Sequence, residues 1–414
     1  MSDLKTILVV GTYDTKDDEL LYLADVIRGQ GGAVCSMDVS VLGDPSTPTD
    51  VSKHDVAETG GSSIQAAIDS GDENAAMQIM AKGAAAKARA LHAAGRIDGV
   101  IVLGGSMGTD LALDLCAALP VGVPKYVVST VAFSPIMPPD RMAADIQMIL
   151  WAGGLYGLNS VCKASLSQAA GAVLGAARAV EAPIRQRPLI GMTSFGKTAL
   201  LYMVTLKPAL EARGFEVAVF HATGMGGRAF EALAAEGAFA CVFDFAPQEV
   251  SNHLFGGLSA GPDRMTNAGL NSTPQIIGTG CYDLVDLVGW QPIPTYFADR
   301  TMHAHNRLLT SVVLNVEERR LVARTMCDKL KTAMAPVAFL LPMGGGNEWD
   351  RPGADLHDAD GLAAFCNEIK AKIPDNVDLS VLDCHINDAE FSDKALEVFD
   401  AWVADGTVRS GVFD

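Results

Sequence analysis

Thr6-Ile7-Leu8-Val9-Val10-Gly11-Thr12-Tyr13-Asp14-Thr15-Lys16 is the stretch that decides the fold. Its first five residues are mostly β-branched and too few for a helix, so they read as a short buried strand. Gly11 then lets the backbone turn and lets a ligand approach closely. Leu20, Leu23, Ala24 and Ile27 recur behind it at helical spacing. A strand, a glycine turn and an amphipathic helix make the first half of a βαβ unit.

The same order returns along the chain. Strands are expected at Ala33–Val39, Gly99–Leu103 and Lys125–Ser129, with helices near 62–70, 73–94 and 111–119. The Ala- and Gly-rich run from Ala164 to Val180 carries Ser165, Ser167, Gln168 and Arg178, so it reads as a helix of a soluble domain. Ala182-Pro183-Ile184-Arg185-Gln186-Arg187-Pro188 reads as a linker, after which the alternation restarts. Further strands are expected near 189–192, 215–220, 240–243, 275–277, 337–341 and 378–382. Helices are expected near 200–213, 228–236, 317–334, 360–372 and 393–404. The expected fold is α/β: two Rossmann-like, doubly wound parallel-sheet domains facing a cleft. The first, residues 1–184, is the expected nucleotide-binding domain, and the second, residues 185–414, a candidate substrate domain.

Composition narrows the function classes. The chain has 414 residues, enough for two domains. It carries 31 Lys and Arg against 49 Asp and Glu, a net charge of −18. Such a body repels polyanions, so neither nucleic acid nor an anionic membrane is an expected partner. The eight cysteines form no CxxC pair, which argues for buried thiols in a reducing cytoplasm rather than for a zinc ribbon or a disulfide scaffold. No apolar h-region opens the chain, and no run of 18 apolar residues occurs, so the expected location is cytoplasmic.

In doubly wound sheets, ligands sit outside the carboxyl ends of the strands, where helix N-termini also point. Four glycine loops follow expected strands there: 104–108, 224–227, 278–280 and 344–346. One such loop alone is more simply a helix cap or turn; four together point to a ligand. Counting first the Gly11 loop that follows the opening strand, Gly11, Thr12, Asp14, Thr15 and Lys16 are its candidate contacts. Lys16 meets an anion, and Asp14 is an N-cap, a ribose partner or a ligand of a cation. Asp17, Asp18 and Glu19 would repel a triphosphate unless they face away or a divalent cation such as Mg²⁺ mediates. In the second loop Gly104, Gly105, Ser106, Gly108 and Thr109 can cradle a phosphate through backbone amides and hydroxyls. In the third, Thr223, Gly224, Gly226 and Gly227 precede Arg228, a planar fork for a carboxylate or phosphate.

Other residues invite chemistry. Gly191-Met192-Thr193-Ser194-Phe195-Gly196-Lys197-Thr198 matches a Walker A string literally, and the run 240–244 ends in Asp244 as a Walker B would. So short a pattern often occurs by chance. His221, His385, Asp388 and Lys197 form the candidate catalytic set. The first three would move protons, and Lys197 would act as anion partner or nucleophilic amine on a small oxo- or hydroxy-carboxylate or its phosphate. His303-Ala304-His305 is an H-x-H pair without a third ligand at diagnostic spacing, so no metal site is assigned. The loop 342–350, with Glu348 and Asp350, is either a cation site or a solvated turn.

The chain resembles the Tm-1-like ATP-binding family, also called UPF0261. The resemblance rests on segments 11–16, 104–109, Pro124-Lys125 with Ser129-Thr130, 220–229, Ser259-Ala260-Gly261-Pro262, and His385-Ile386-Asn387-Asp388. Together they span almost the whole chain in order. The resemblance implies two Rossmann-like domains, ATP as ligand and self-association as a homodimer. It assigns no settled reaction. A non-catalytic module that senses nucleotide is therefore a further alternative to the enzyme. Tyr13, Met107 and Lys197 depart from the residues expected of the family at those places.

Overall fold

Strands that are apolar on both faces need cover on both faces, and that requirement organises the molecule. In a computed structural model, residues 4–138, 141–181, 186–196 and 201–411 are described. The chain divides into two compact units, Met1–Pro183 and Ile184–Asp414.

The first unit holds β1 (Thr6–Gly11), β2 (Ala33–Asp38), β3 (Gly99–Gly104), β4 (Lys125–Ser129) and β5 (Ile146–Leu150). They form one sheet in the order β2-β1-β3-β4-β5, and every neighbouring pair is parallel. The helices are α1 (Asp17–Gly29), α2 (Lys53–Thr59), α3 (Ile64–Asp69), α4 (Glu73–Ala93), α5 (Ser106–Ala117) and α6 (Ser160–Ala179). Side chains alternate faces along a strand. Leu8, Val10, Val100 and Val102 accordingly pack with Val56, Met80 and Leu111 on one face. Ile7, Val9, Ile101 and Leu103 pack with Leu20, Leu23, Leu166 and Val173 on the other. The chain leaves β1 toward β2 on one side and toward β3 on the other, so the order reverses between β1 and β3.

The second unit holds a six-stranded parallel sheet. Its strands are β6 (Leu189–Ser194), β7 (Glu216–His221), β8 (Cys241–Asp244), β9 (Gln275–Ile277), β13 (Val337–Pro342) and β14 (Val377–Leu382), in the order β14-β13-β9-β8-β6-β7. Between β9 and β13 the chain makes a separate antiparallel sheet of β10 (Leu284–Val288), β11 (Met302–Ala304) and β12 (Leu309–Val313). Helices α7 (Leu201–Ala212), α8 (Met225–Ala235), α9 (Gln248–Phe255), α10 (Asn267–Leu270), α11 (Val316–Leu330), α12 (Ala359–Lys372) and α13 (Ala389–Ala404) complete it. Here the order reverses between β6 and β8.

The expected α/β class with two parallel, helix-flanked sheets is what the structure has. The sequence reading passed over α2, β5, α9, α10 and the antiparallel sheet. These are short pieces of 3 to 8 residues. The Walker-like string also resolves differently from a phosphate loop. Gly191 to Ser194 lie inside β6, and a Cβ on Gly191 would stand 2.9 Å from the Phe239 ring. Lys197 and Thr198 lie outside the described residues.

Candidate functional site

A cavity of about 650 Å³ opens at the carboxyl ends of β1 and β3, where the first sheet reverses. That volume is in the range that takes a small molecule or cofactor. Gly11, Thr12, Asp14, Thr15 and Lys16 line it from the β1 side, and Gly104, Gly105, Ser106 and Gly108 from the β3 side.

The β1 loop is a tight turn. The amides of Thr15 and Lys16 donate to the Thr12 carbonyl at 3.2 and 2.9 Å, and the hydroxyls of Thr12 and Thr15 are 2.9 Å apart. The β3 loop is set by close backbone packing: a Cβ on Gly104 would stand 2.6 Å from Gly108 Cα. Gly105 is the N-cap of α5 and supplies no side-chain cap. The first residues of α5 line the cavity and no side chain caps their amides, an arrangement that favours an anion.

Acidic residues near the site have structural partners. Asp14 accepts from the Gly43 amide at 3.1 Å, and Asp17 accepts from Ser46. Buried Glu19 accepts from the Gly157 amide at 2.8 Å, which fixes the loop carrying Tyr156. Asp17, Asp18 and Glu19 do not line the cavity. The repulsion that the sequence raised is thus met by turning Asp17 and Glu19 onto neighbouring loops. Lys53 ties the opposite side of the same segment, through the Gly43 carbonyl at 2.7 Å and Asp44 at 2.8 Å.

The rest of the wall escaped the sequence reading. Val39, Val41 and Leu42 beyond β2, with Ile68 and Met77 from α3 and α4, make an apolar compartment. The strand order β2-β1-β3 sets this compartment on one flank and the Gly104–Gly108 amides on the other. Neighbouring strands are about 4.8 Å apart, so β2 and β3 are separated by about 10 Å. The available signal was the long excursion between β2 and β3, which carries exposed Leu42 and Ile68. Thr109 is a correction. Its hydroxyl is buried, donates to the Gly105 carbonyl at 2.7 Å and lies 2.7 Å from Ser129 Oγ, so it shapes the loop from behind.

Residues 5–182 match the N-terminal domain, and residues 187–403 the C-terminal domain, of the Uncharacterised protein family (UPF0261). The chain belongs to that family. A UPF0261 protein of Brucella melitensis is 55% identical over 406 residues, which are 98% of this chain and 97% of that one. A UPF0261 protein of Clostridium tetani is 34% identical over 391 residues, 94% of this chain and 96% of that one. The ToMV resistance protein Tm-1 of Solanum lycopersicum is 29% identical over 426 residues, 96% of this chain but 56% of the tomato protein.

The second unit of this UPF0261 chain treats its strand-end loops differently. Glu249 accepts from the amides of Gly224 and Gly227 at 2.6 and 3.0 Å. A Cβ on Gly227 would meet its carboxylate at 1.8 Å, and one on Gly226 would meet the His221 carbonyl at 1.7 Å. The expected anion cradle is therefore filled by the protein's own carboxylate, and its glycines serve close packing. Arg264 holds Glu249 at 2.7 Å and Asp244 at 2.5 Å, with Glu231 at 3.4 Å, all fully buried. Burial pushes Glu249 and Glu231 each up to about 7 against the pull of Arg264. Arg228, expected as a free fork, has both Asp263 carboxylate oxygens at 3.1 Å. The Thr223 hydroxyl faces His221 Nδ1 at 3.2 Å.

The Gly344–Gly346 loop repeats the pattern, with Asp350 accepting from the amides of Gly346 and Asn347 at 2.7 and 3.2 Å. His385 is buried. Its Nε2 lies 2.9 Å from the Asn347 carbonyl and 3.0 Å from Asp350, while its Nδ1 accepts from the Asn387 amide at 3.1 Å. Asp388 binds the His385 amide at 2.8 Å and Arg351 at 2.9 Å. Burial works to raise the Asp388 carboxyl, but those partners outweigh it and hold it below the usual carboxylate range. His385 and Asp388 thus brace a loop rather than stand ready for proton transfer. His221 sits at the end of β7, its ring 5.6 Å from Phe195, and burial lowers its pKa. Rings of His303 and His305 lie 6.4 Å apart beside Trp349. Among the described residues, no group of three or more His, Cys, Asp or Glu is placed to hold a metal, and no helix is long and apolar enough to cross a membrane.

Proposed function

We propose that the first unit binds ATP or a closely related phosphorylated nucleotide. The phosphates meet the amides from Gly105 to Gly108 and the Lys16 ammonium, and the base enters the apolar compartment of Val39, Val41, Leu42 and Met77. The observation that carries this reading is the contrast between the two units. The α5 N-terminus opens into a cavity, whereas the glycine-loop amides at Gly224, Gly227 and Gly346 in the second unit are taken by Glu249 and Asp350. Family resemblance supplies ATP as the first nucleotide to try. Lys16 is the basic residue among those lining the cavity, which also include Asp14, Asp72 and Glu73. A triphosphate would therefore enter with Mg²⁺, which offsets charge that one lysine does not. The reading assigns binding and no reaction.

Isothermal titration with ATP and Mg²⁺ tests it. A Cβ on Gly105 would meet only Thr130 Oγ1, at 3.8 Å, so Gly105→Val is expected to fold. Its branched side chain would fill the place of a phosphate and weaken binding by at least about ten-fold, or about 1.4 kcal/mol. No binding to folded wild type at millimolar nucleotide, or equal binding by Gly105→Val, would sink the reading.

A further inference from the structure

Among the described residues lining the first unit's cavity, Tyr156 is the aromatic one, and its side chain is 96% exposed. It lies between Leu150, where β5 ends, and Ser160, where α6 begins. The residues on either side of it are held. Leu155 is buried and joins the cluster of Tyr13, Leu20 and Leu23. The Gly157 amide donates to buried Glu19 at 2.8 Å, and Gly157 holds φ at 90°, which suits glycine. The backbone at Tyr156 is thus tied on both sides, while its ring stands in water. A Cβ on Gly154 would stand 2.7 Å from Tyr156 Cδ2, so the ring lies back over Gly154. Among the described residues none bonds the Tyr156 hydroxyl. Single exposed rings are ordinary on a protein surface; this one stands at the mouth of a cavity, on an anchored backbone.

The sheet order gives the flank from which Tyr156 approaches. Strand β5 lies two strands beyond β3 on the side away from β2, a step of about 10 Å. Tyr156 therefore reaches the cavity from the flank opposite the apolar compartment of Val39, Val41 and Leu42. Lys16 is the N-cap of α1, and Glu19 lies in its first turn, three residues on and over the same face. The bond from Gly157 to Glu19 accordingly sets Tyr156 on the Lys16 side. A nucleotide whose base fills the compartment places its first phosphate nearest that compartment and its last phosphate farthest toward β5. We propose that Tyr156 reads the length of the phosphate chain. Its hydroxyl donates to an oxygen of the terminal phosphate and its ring covers that end of the site, so a triphosphate is held in preference to a monophosphate. This inference rests on the nucleotide reading above and names the group that sets its selectivity. A phenol suits the place because it donates to an anion while carrying no charge of its own. Asp14, Asp72 and Glu73 of the lining therefore do not draw it away as they would a second lysine.

Isothermal titration of ATP and of AMP, each with Mg²⁺, into the full chain and its Tyr156→Phe, Tyr156→Ala and Gly105→Val variants tests this. Wild type is expected to hold ATP at least about ten-fold more tightly than AMP. Tyr156→Phe removes one hydrogen bond to a charged group, so it should weaken ATP by about ten-fold or more and leave AMP unchanged. Tyr156→Ala should weaken ATP at least as much. Both variants should melt at the wild-type temperature, because the side chain they change is exposed. Equal losses for ATP and AMP would mark a disturbed loop rather than a contact with the terminal phosphate, and would overturn the proposal. Unchanged ATP binding by both variants would overturn it too, as would a wild type that holds ATP and AMP alike. If Gly105→Val loses ATP while both Tyr156 variants keep it, the nucleotide reading stands and this proposal alone falls. A folded wild type that binds neither nucleotide removes both.

Discussion

Two glycines in the helices of the first unit should respond in opposite directions to the same substitution. In an exposed helix interior, Gly→Ala stabilises by about 1 kcal/mol. Gly175 in α6 has no heavy atom within 4 Å of where its Cβ would stand, so Gly175→Ala should gain roughly that amount. Gly83 in α4 faces α2, and its Cβ would stand 1.9 Å from the Val56 carbonyl oxygen and 2.7 Å from its carbon. A carbon–oxygen contact relaxes only near about 3.3 Å, so α2 must withdraw from α4 by about 1.4 Å. Backbone cannot rotate aside as a side chain would, and Val56, Met80 and Ala84 around it are fully buried. Overpacking of this kind costs about 1–3 kcal/mol or more and exceeds the helix gain. Gly83→Ala should therefore lose about 1–2 kcal/mol net, or about 2–8 °C in Tm for a unit of this size. Thermal and urea unfolding followed by circular dichroism read both variants. Met77 and Ala76 of α4 line the cavity, so Gly83→Ala should also weaken nucleotide binding while Gly175→Ala leaves it alone. A Gly83→Ala protein stabilised as much as Gly175→Ala would refute the close α2–α4 packing.

The second unit carries a pH dependence of defined sign. Glu231 and Glu249 are raised by burial to about 7, and buried Asp283 and Asp286 to about 6. Between their unfolded and folded values the folded chain binds more protons, so stability falls as pH rises through that window, by up to about 3 kcal/mol for each glutamate. Urea midpoints by fluorescence, to which Trp290, Trp349 and Trp402 of this unit contribute, should drop from pH 5 to 8, and Glu231→Gln should flatten the slope; a rising midpoint would contradict the buried-carboxyl account. His385→Ala should lower the stability of the second unit by about 2–4 kcal/mol, because it removes the imidazole from buried Asp350 Oδ1, leaving the Gly346 and Asn347 amides on the other oxygen, and opens a cavity where the ring was buried. The same variant should bind nucleotide as wild type does, and a large loss of affinity would return His385 to the site.

Both parallel sheets were legible in the sequence because their central strands are short, apolar and buried on both faces. Val100 to Leu103 need no partner information to read as a strand. The β1 and β3 loops were legible for a related reason: a glycine run after such a strand falls at the carboxyl edge of the sheet. Strand β5 was not, since nine residues separate Leu150 from the start of α6 at Ser160 and the strand–turn–helix pattern is stretched there. The apolar compartment was not legible either, because Val39 to Leu42 and Ile68 to Met77 come together only when α2, α3 and α4 fold back over β2. Glycine loops of the second unit misled for a different reason. The sequence shows which amides a loop can offer and cannot show which carboxylate takes them.

The alternation of apolar strands with helices by itself determined the fold class of this chain and put its glycine loops at strand ends, since these follow from local chain geometry and burial. Only the tertiary structure decided which loops stay open. Glu249 lies 25 residues from Gly224, and His385 lies 35 from Asp350. Hydrogen bonds over such separations depend on how the strands are ordered, and that ordering assigns the open amides to the first unit and the filled ones to the second.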